Sequence, residues 1–181
     1  MRKLTMDELN RLSAEEYKIS VKPEVCVILD NVRSQNNIGS VFRTCDAFRV
    51  LKLCLCGITS TPPHREIHKT ALGAEDSVDW EYYKETRDAV KNLQTQGYRV
   101  YAAEQTDKKI LLQDFQVGET EKIAIVFGHE VKGVDQEVIE FCDGVIEIPQ
   151  FGTKHSLNIA VSAGIIIWEI MKKKNILKYQ S

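Results

Sequence analysis

Three short polar segments of this 181-residue sequence gather the side chains that could do chemistry. NVRSQNNIGSVFR (31–43) carries Asn36, Asn37, Gly39 and Arg43. GHEVKG (128–133) sets Glu130 between Gly128 and Gly133, and QFGTKHSLN (150–158) closes on Ser156, Leu157 and Asn158. A carboxamide can orient a hydroxyl or cap a helix, a carboxylate collects donors, and a guanidinium holds an oxyanion. The glycines allow tight turns and close approach of a ligand to the backbone. Arg43 alone would pass for a solvated surface arginine; its place beside a polar strand-end loop argues for more.

Several familiar chemistries are poorly supported. GxxxxGK[ST] and GxGxxG are both absent, which disfavours triphosphate hydrolysis and dinucleotide binding. GTKHS (152–156) lacks the earlier glycine. His155-Ser156 is not framed by G-x-S-x-G. His64 and His68 stand four apart with no third ligand in view, and Cys54-x-Cys56 has no second pair, so no metal is expected. A half-buried strand is the better account of the two cysteines.

The elements that must position these residues can be read from hydrophobic periodicity. VCVILD (25–30) is a continuous apolar run of strand length, the pattern of a strand buried on both faces. From Ile38, a helical stripe follows through Val41, Phe42, Cys45 and Phe48. Arg43 lies about 160° round that helix from the stripe. LKLCLCG (51–57) alternates, Pro62-Pro63 opens a short segment, SVDWEYY (77–83) is a weaker strand, and a helix runs from Thr86 to Gln96, closing at Gly97. RVYAAE (99–104), KIAIVFG (122–128) and VIEIP (145–149) read as strands, and VDQEVIEFC (134–142) as a helix. A long final helix is expected to begin at Ser156, its natural N-cap. That leaves Asn158 in the first turn with no local task, which points to a ligand or partner group. In the first active segment, Asn36 or Asn37 is the expected N-cap and Gly39 lies in the first turn.

Strand and helix alternation of this kind predicts an α/β fold, a mostly parallel sheet with helices on both faces. Residues 1–20 read as an N-terminal extension, a short helix or arm outside the core, and 21–181 as one domain. All three polar segments follow confident strands, and ligands of open α/β sheets bind outside the carboxyl ends of the strands. The apolar content excludes a disordered chain, and the longest apolar stretch, 157–170, is broken by Asn158 and Ser162, so no membrane span is expected. Five cysteines with no secretory signal suit reduced thiols in the cytoplasm. With 24 Lys and Arg against 26 Asp and Glu, the chain is not globally basic.

On these segments the sequence resembles the SpoU-type RNA ribose 2′-O-methyltransferases of the SPOUT superfamily. Asn37, Gly39 and Arg43 match the first motif of that family. Phe127, Gly128, Glu130 and Gly133 match the second; Ile148, Pro149, Gly152, Ser156, Leu157 and Asn158 match the third. The motifs stand in the family's order, and the similarity covers about residues 23–171. The resemblance implies a trefoil knot in the C-terminal half, S-adenosylmethionine bound within it (S-adenosylhomocysteine as product), RNA as substrate, and a homodimer. It implies cofactor contacts at Phe127, Gly128, Glu130, Ile148, Pro149, Gly152, Ser156 and Leu157. It implies catalytic roles for Asn37, Arg43, Glu130, Ser156 and Asn158.

The implied reaction is methyl transfer to a ribose 2′-hydroxyl of tRNA or rRNA. The short ends lean toward tRNA. Arg43 suits a phosphate clamp that also steadies the developing alkoxide, because a guanidinium stays protonated. A non-catalytic RNA-binding module on the same fold is the alternative, and a small-molecule hydrolase or transferase a third. Residues 31–70 carry six Arg and Lys against two acids, whereas 104–147 carry eleven acids against four Lys. The basic first half, with four further lysines in MKKKNILK (171–178), is where phosphates would lie.

Overall fold

The computed structural model describes residues 1–5, 7–9 and 11–177. Seven strands form a single sheet: β1 (Val25–Asp30), β2 (Lys52–Cys56), β3 (Trp80–Tyr83), β4 (Arg99–Ala103), β5 (Ile110–Leu111), β6 (Ile123–Phe127) and β7 (Gly144–Glu147). Their order is β3-β2-β1-β6-β4-β7-β5, and every pairing is parallel. The helices are α1 (Ala14–Ile19), α2 (Gln35–Ala47), α3 (Arg65–Ala71), α4 (Ala74–Ser77), α5 (Thr86–Thr95), α6 (Gln136–Phe141) and α7 (Ile159–Lys173), after a 3-10 turn at Asp7–Leu9.

The period-2 geometry of the strands splits the core in two. Val25, Val27 and Leu29 of β1 face α2, α3 and α7, joining Leu53, Leu55, Ile123, Ile125 and Phe127. Cys26 and Ile28 face the other way, with Cys54, Cys56, Ala124 and Val126, under α5 and α6. Strand β2 is therefore buried on both faces and not half-buried as its alternation suggested. Cys54 and Cys56 serve there as small apolar side chains.

Other expectations are refined. Residues 1–20 are not wholly outside the core. Ser13 and Glu16 form a capping box for α1, and this helix buries Tyr17, whose hydroxyl donates to the Cys45 carbonyl at 3.4 Å. The N-cap of α2 is Ser34, not Asn36 or Asn37, so Gly39 falls in the second turn. Helix α7 starts at Ile159 with Asn158 as its N-cap, later than a cap at Ser156 would give. Of the tail lysines, Lys174 is 2% exposed and donates to the carbonyls of Gly118 and Glu121, so it cannot meet phosphate. Lys178 lies outside the described residues. Among the described residues, no helix is long and apolar enough to cross a membrane.

Asp30 closes β1 and is 1% exposed. It accepts from the Thr86 hydroxyl at 2.6 Å, from Asn31 at 2.9 Å and from the Asp135 amide at 2.9 Å. One carboxylate thus ties the starts of α5 and α6 to the end of β1, an interior strand. All the strands being parallel, the loops after β1, β4, β6 and β7 emerge on one rim.

Candidate active site

The three polar segments meet on that rim through a directed relay. Glu130 Oε1 accepts from the Ser34 amide at 2.9 Å and from Asn37 Nδ2 at 3.1 Å, and Oε2 accepts from the Arg33 amide at 3.1 Å. Asn37 Oδ1 accepts from Asn158 Nδ2 at 3.1 Å, and Asn158 Oδ1 accepts from the Ala160 amide at 2.8 Å. The polarity is forced from both ends. An ionised carboxylate can only accept, so the Asn37 amide group must face Glu130 and its oxygen must face Asn158. At the far end the free N–H of α7 requires the Asn158 oxygen. Asn158 therefore has a local task after all, as cap and as link.

Burial raises the Glu130 pKa, but the amides of Ser34, Glu130 itself and Arg33, together with the Asn37 side chain, outweigh it. The net result is a pKa below the ordinary carboxylate value. Glu130 is an anionic anchor at the N-terminus of α2, where the helix dipole also favours negative charge. It is unsuited to carrying a proton near neutral pH.

Two of the motif glycines are required by packing. A Cβ on Gly128 would run into the backbone of Gly133 and Val134. A Cβ on Gly39 would strike Thr70 Oγ1 and the Ile67 carbonyl, so Gly39 sets the close approach of α2 and α3. Gly133 takes φ +72°, left-handed, and closes a tight turn in which His129 and Gly133 exchange backbone hydrogen bonds of 2.9 and 2.8 Å.

Behind the relay lies a cavity of about 650 Å³. Phe127, Gly128, Glu130, Ile148, Ser156, Leu157 and Asn158 line it. Pro149 faces the neighbouring groove instead, and Gly152 lines neither. Glu104 and Gln105, at the carboxyl end of β4, also line the cavity. Nothing in the sequence motifs singles them out, although the strand-end rule applied to RVYAAE would have found them.

Arg43 stands elsewhere. It is exposed and lines a wider groove of about 1140 Å³ with Phe48, Lys69, Thr70, Pro149 and Trp168. Asn37 and Arg43 are six residues apart on α2, so they diverge by roughly 120° round the helix. Within one chain, Glu130, Ser156 and Asn158 line one cavity, Asn37 is bonded to two of them without lining it, and Arg43 stands in the next. His64 caps α3, accepting from the Glu66 amide at 3.2 Å, and His68 pairs with Glu75. Among the described residues, no three His, Cys, Asp or Glu side chains gather as a metal site.

Residues 24–168 match the model of the SpoU rRNA Methylase family. The chain belongs to this family. Among its SpoU relatives, a tRNA (guanosine(18)-2′-O)-methyltransferase of Thermus thermophilus is 32% identical over 92% of this chain and 84% of its own length. The A. aeolicus TrmH/SpoU tRNA modifying enzyme shares the fold, with a TM-score of 0.79 and 24% identity over 90% of this chain and 81% of that one. An AdoMet bound rRNA methyltransferase from Sinorhizobium meliloti superposes with a TM-score of 0.76 and is 26% identical, covering 84% of this chain and 58% of that one. The mostly parallel sheet flanked by helices is thus the architecture of this SpoU family.

Proposed function

We infer that the chain is an S-adenosylmethionine-dependent methyltransferase that modifies a ribose 2′-hydroxyl of tRNA or rRNA, with tRNA favoured. The observation that carries this reading is the Glu130–Asn37–Asn158 relay, which fixes all three motif segments around one cavity. The named activities of the SpoU relatives support the reaction, and those of the Thermus and A. aeolicus proteins support tRNA.

The residues present fit the cofactor. The cavity volume lies within the roughly 300–1,000 Å³ typical of small-molecule sites. Ile148, Leu157 and Ile166 give apolar walls suited to an adenine ring, and the Gly128 backbone stands open to the ligand. S-adenosylmethionine supplies an electrophilic methyl group on a sulfonium, leaving S-adenosylhomocysteine.

The protein's part is positioning and electrostatics. Glu130 stays ionised and holds the start of α2, Asn37 passes that order to Asn158, and Ser156 faces the same cavity from the α7 entry. Arg43 clamps a phosphate of the RNA and steadies the developing alkoxide as the hydroxyl proton passes to solvent water. Because Arg43 lines a separate groove within one chain, the complete site draws Arg43 and the cavity from two copies in a homodimer. The exposed Trp168 and Ile165 of α7, which line the same groove as Arg43, support such a pairing.

The same reading takes residues 21–181 as the catalytic domain, 1–20 as an extension, and the cytoplasm as the place of work. It also takes the C-terminal trefoil knot as part of the fold. The return of α7 from β7, near the sheet edge, to α2 beside the centre supports the knot.

The test uses labelled S-adenosylmethionine with tRNA and rRNA from a strain lacking this gene, followed by digestion and mass spectrometry of nucleosides. One 2′-O-methyl nucleoside gained in one pool is the expected result. Binding of S-adenosylhomocysteine without transfer to either pool, mature or precursor, would leave an RNA-binding module instead.

A further inference from the structure

We propose that Glu104 is a positioning residue for the cofactor cavity. With Gln105, it makes the end of β4 the post to which both walls of that cavity are tied. This inference rests on the cofactor reading above.

Neither residue belongs to the three motif segments, yet their bonds reach one of them and the residue that directly follows another. The Glu104 amide donates to the Ile146 carbonyl at 3.1 Å, extending the β4–β7 ladder by one step and fixing the backbone at the rim. From there Glu104 Oε1 accepts from the Val134 amide at 2.9 Å, at the point where the GHEVKG turn enters α6. Its second oxygen accepts from the Gln105 amide at 3.0 Å. Gln105 Nε2 in turn donates to the His155 carbonyl at 2.8 Å, in the segment leading to Ser156 and Leu157. One dipeptide thus holds the 128–133 wall with a carboxylate and the 150–158 wall with a carboxamide.

The seat for this carboxylate is built by glycine. A Cβ on Gly133 would collide with Glu104 Oε1, so the left-handed glycine both shapes the turn and lets the carboxylate reach under it. Glu104 touches neither end of the Glu130 relay, which secures the opposite side of the same turn against α2. The GHEVKG turn is held from two sides by two carboxylates: Glu130 projects out of it, and Glu104 reaches in. Removing the inner one frees the Val134 amide and lets the wall drift from the ligand.

The experiment compares Glu104→Ala and Glu104→Gln with wild type in three measurements. These are calorimetric binding of S-adenosylhomocysteine, amide hydrogen exchange at Val134, and thermal melting without ligand. Losing the acceptor should weaken binding by about 10- to 100-fold in Glu104→Ala, the range expected for a polar group left unpaired. Glu104→Gln keeps an oxygen for the Val134 amide and gives up only the Gln105 contact, so it should recover most of the affinity. Exchange at Val134 should quicken in the alanine variant and return toward wild type in the glutamine variant. A merely structural loss would lower the melting temperature of both variants in step with affinity, without that recovery.

Glu104→Ala binding as tightly as wild type, or exchanging at Val134 no faster, would overturn the inference alone. A wild-type chain that does not bind S-adenosylhomocysteine would overturn the cofactor reading, and the ligand part of this inference with it.

Discussion

Single residues in the relay have only one workable orientation. Asn37 must donate to Glu130 and accept from Asn158, and no isostere does both. Asn37→Asp would set a second carboxylate against Glu130, so it should destabilise the fold by about 1–3 kcal/mol and weaken cofactor binding, as melting and calorimetry would record. Glu130 itself gives a pH signature. Its folded-state pKa lies below the ordinary carboxylate value, so its hydrogen bonds add stability above that ordinary value and lose it as pH falls through the lowered one. The melting-temperature gap between wild type and Glu130→Gln should be full near neutrality and close in acid; a gap that widened in acid would contradict the assignment. Arg43→Lys should keep RNA binding yet lose about 10²-fold or more in transfer rate, because a point charge replaces a planar fork. At this scale the sequence was informative about residue type and less so about task. Asn158 looked idle because its helix was started too early. Glu104 went unnoticed because an acid after a strand is common, and its value depends on Gly133, far along the chain.

At the scale of elements, strands buried on both faces and long amphipathic helices announce themselves, and β1, β6, α2 and α5 fall where periodicity puts them. The misses have local causes. Helix α3 is seven residues long with a histidine cap, α4 is four and β5 is two, all too short to show a period. Strand β2 reads as half-buried because its second face is Lys52, Cys54 and Cys56, and only packing reveals those cysteines as core. Gly39 joins two elements by the side chain it lacks. Gly39→Ala should force α2 from α3 at a cost of about 1–3 kcal/mol, seen as a lowered melting temperature. The backbone carbonyl of Ile67 cannot rotate away as a side chain could.

For the whole molecule, charge distribution and the proposed assembly set the terms. Net charge is near balance, but the basic 31–70 stretch faces RNA in the proposed complex, whereas 104–147 carries eleven acids against four Lys. The proposed dimer exposes itself to a direct test. Ile165→Glu on the outer face of α7 should convert a dimer to a monomer by light scattering and abolish transfer, while leaving the circular dichroism of the folded chain nearly unchanged. A wild-type monomer at micromolar concentration would rule out a shared site. Helical spacing alone sets Asn37 and Arg43 about 120° apart, but that Arg43 falls in a different groove follows from a fold closing between distant parts of the chain.

The parallel order of the sheet carries a consequence for biosynthesis. Strand β1 is made early, yet one of its two neighbours is β6, whose first residue is Ile123. While the chain is still emerging, the middle of the sheet has an open apolar edge, and the Val25, Val27 and Leu29 face of β1 lacks part of its cover until α7 arrives. Distant pairings of this kind fold slowly and leave nascent chains prone to sticking. The early half of this protein thus keeps an unpaired apolar strand edge until β6 is made.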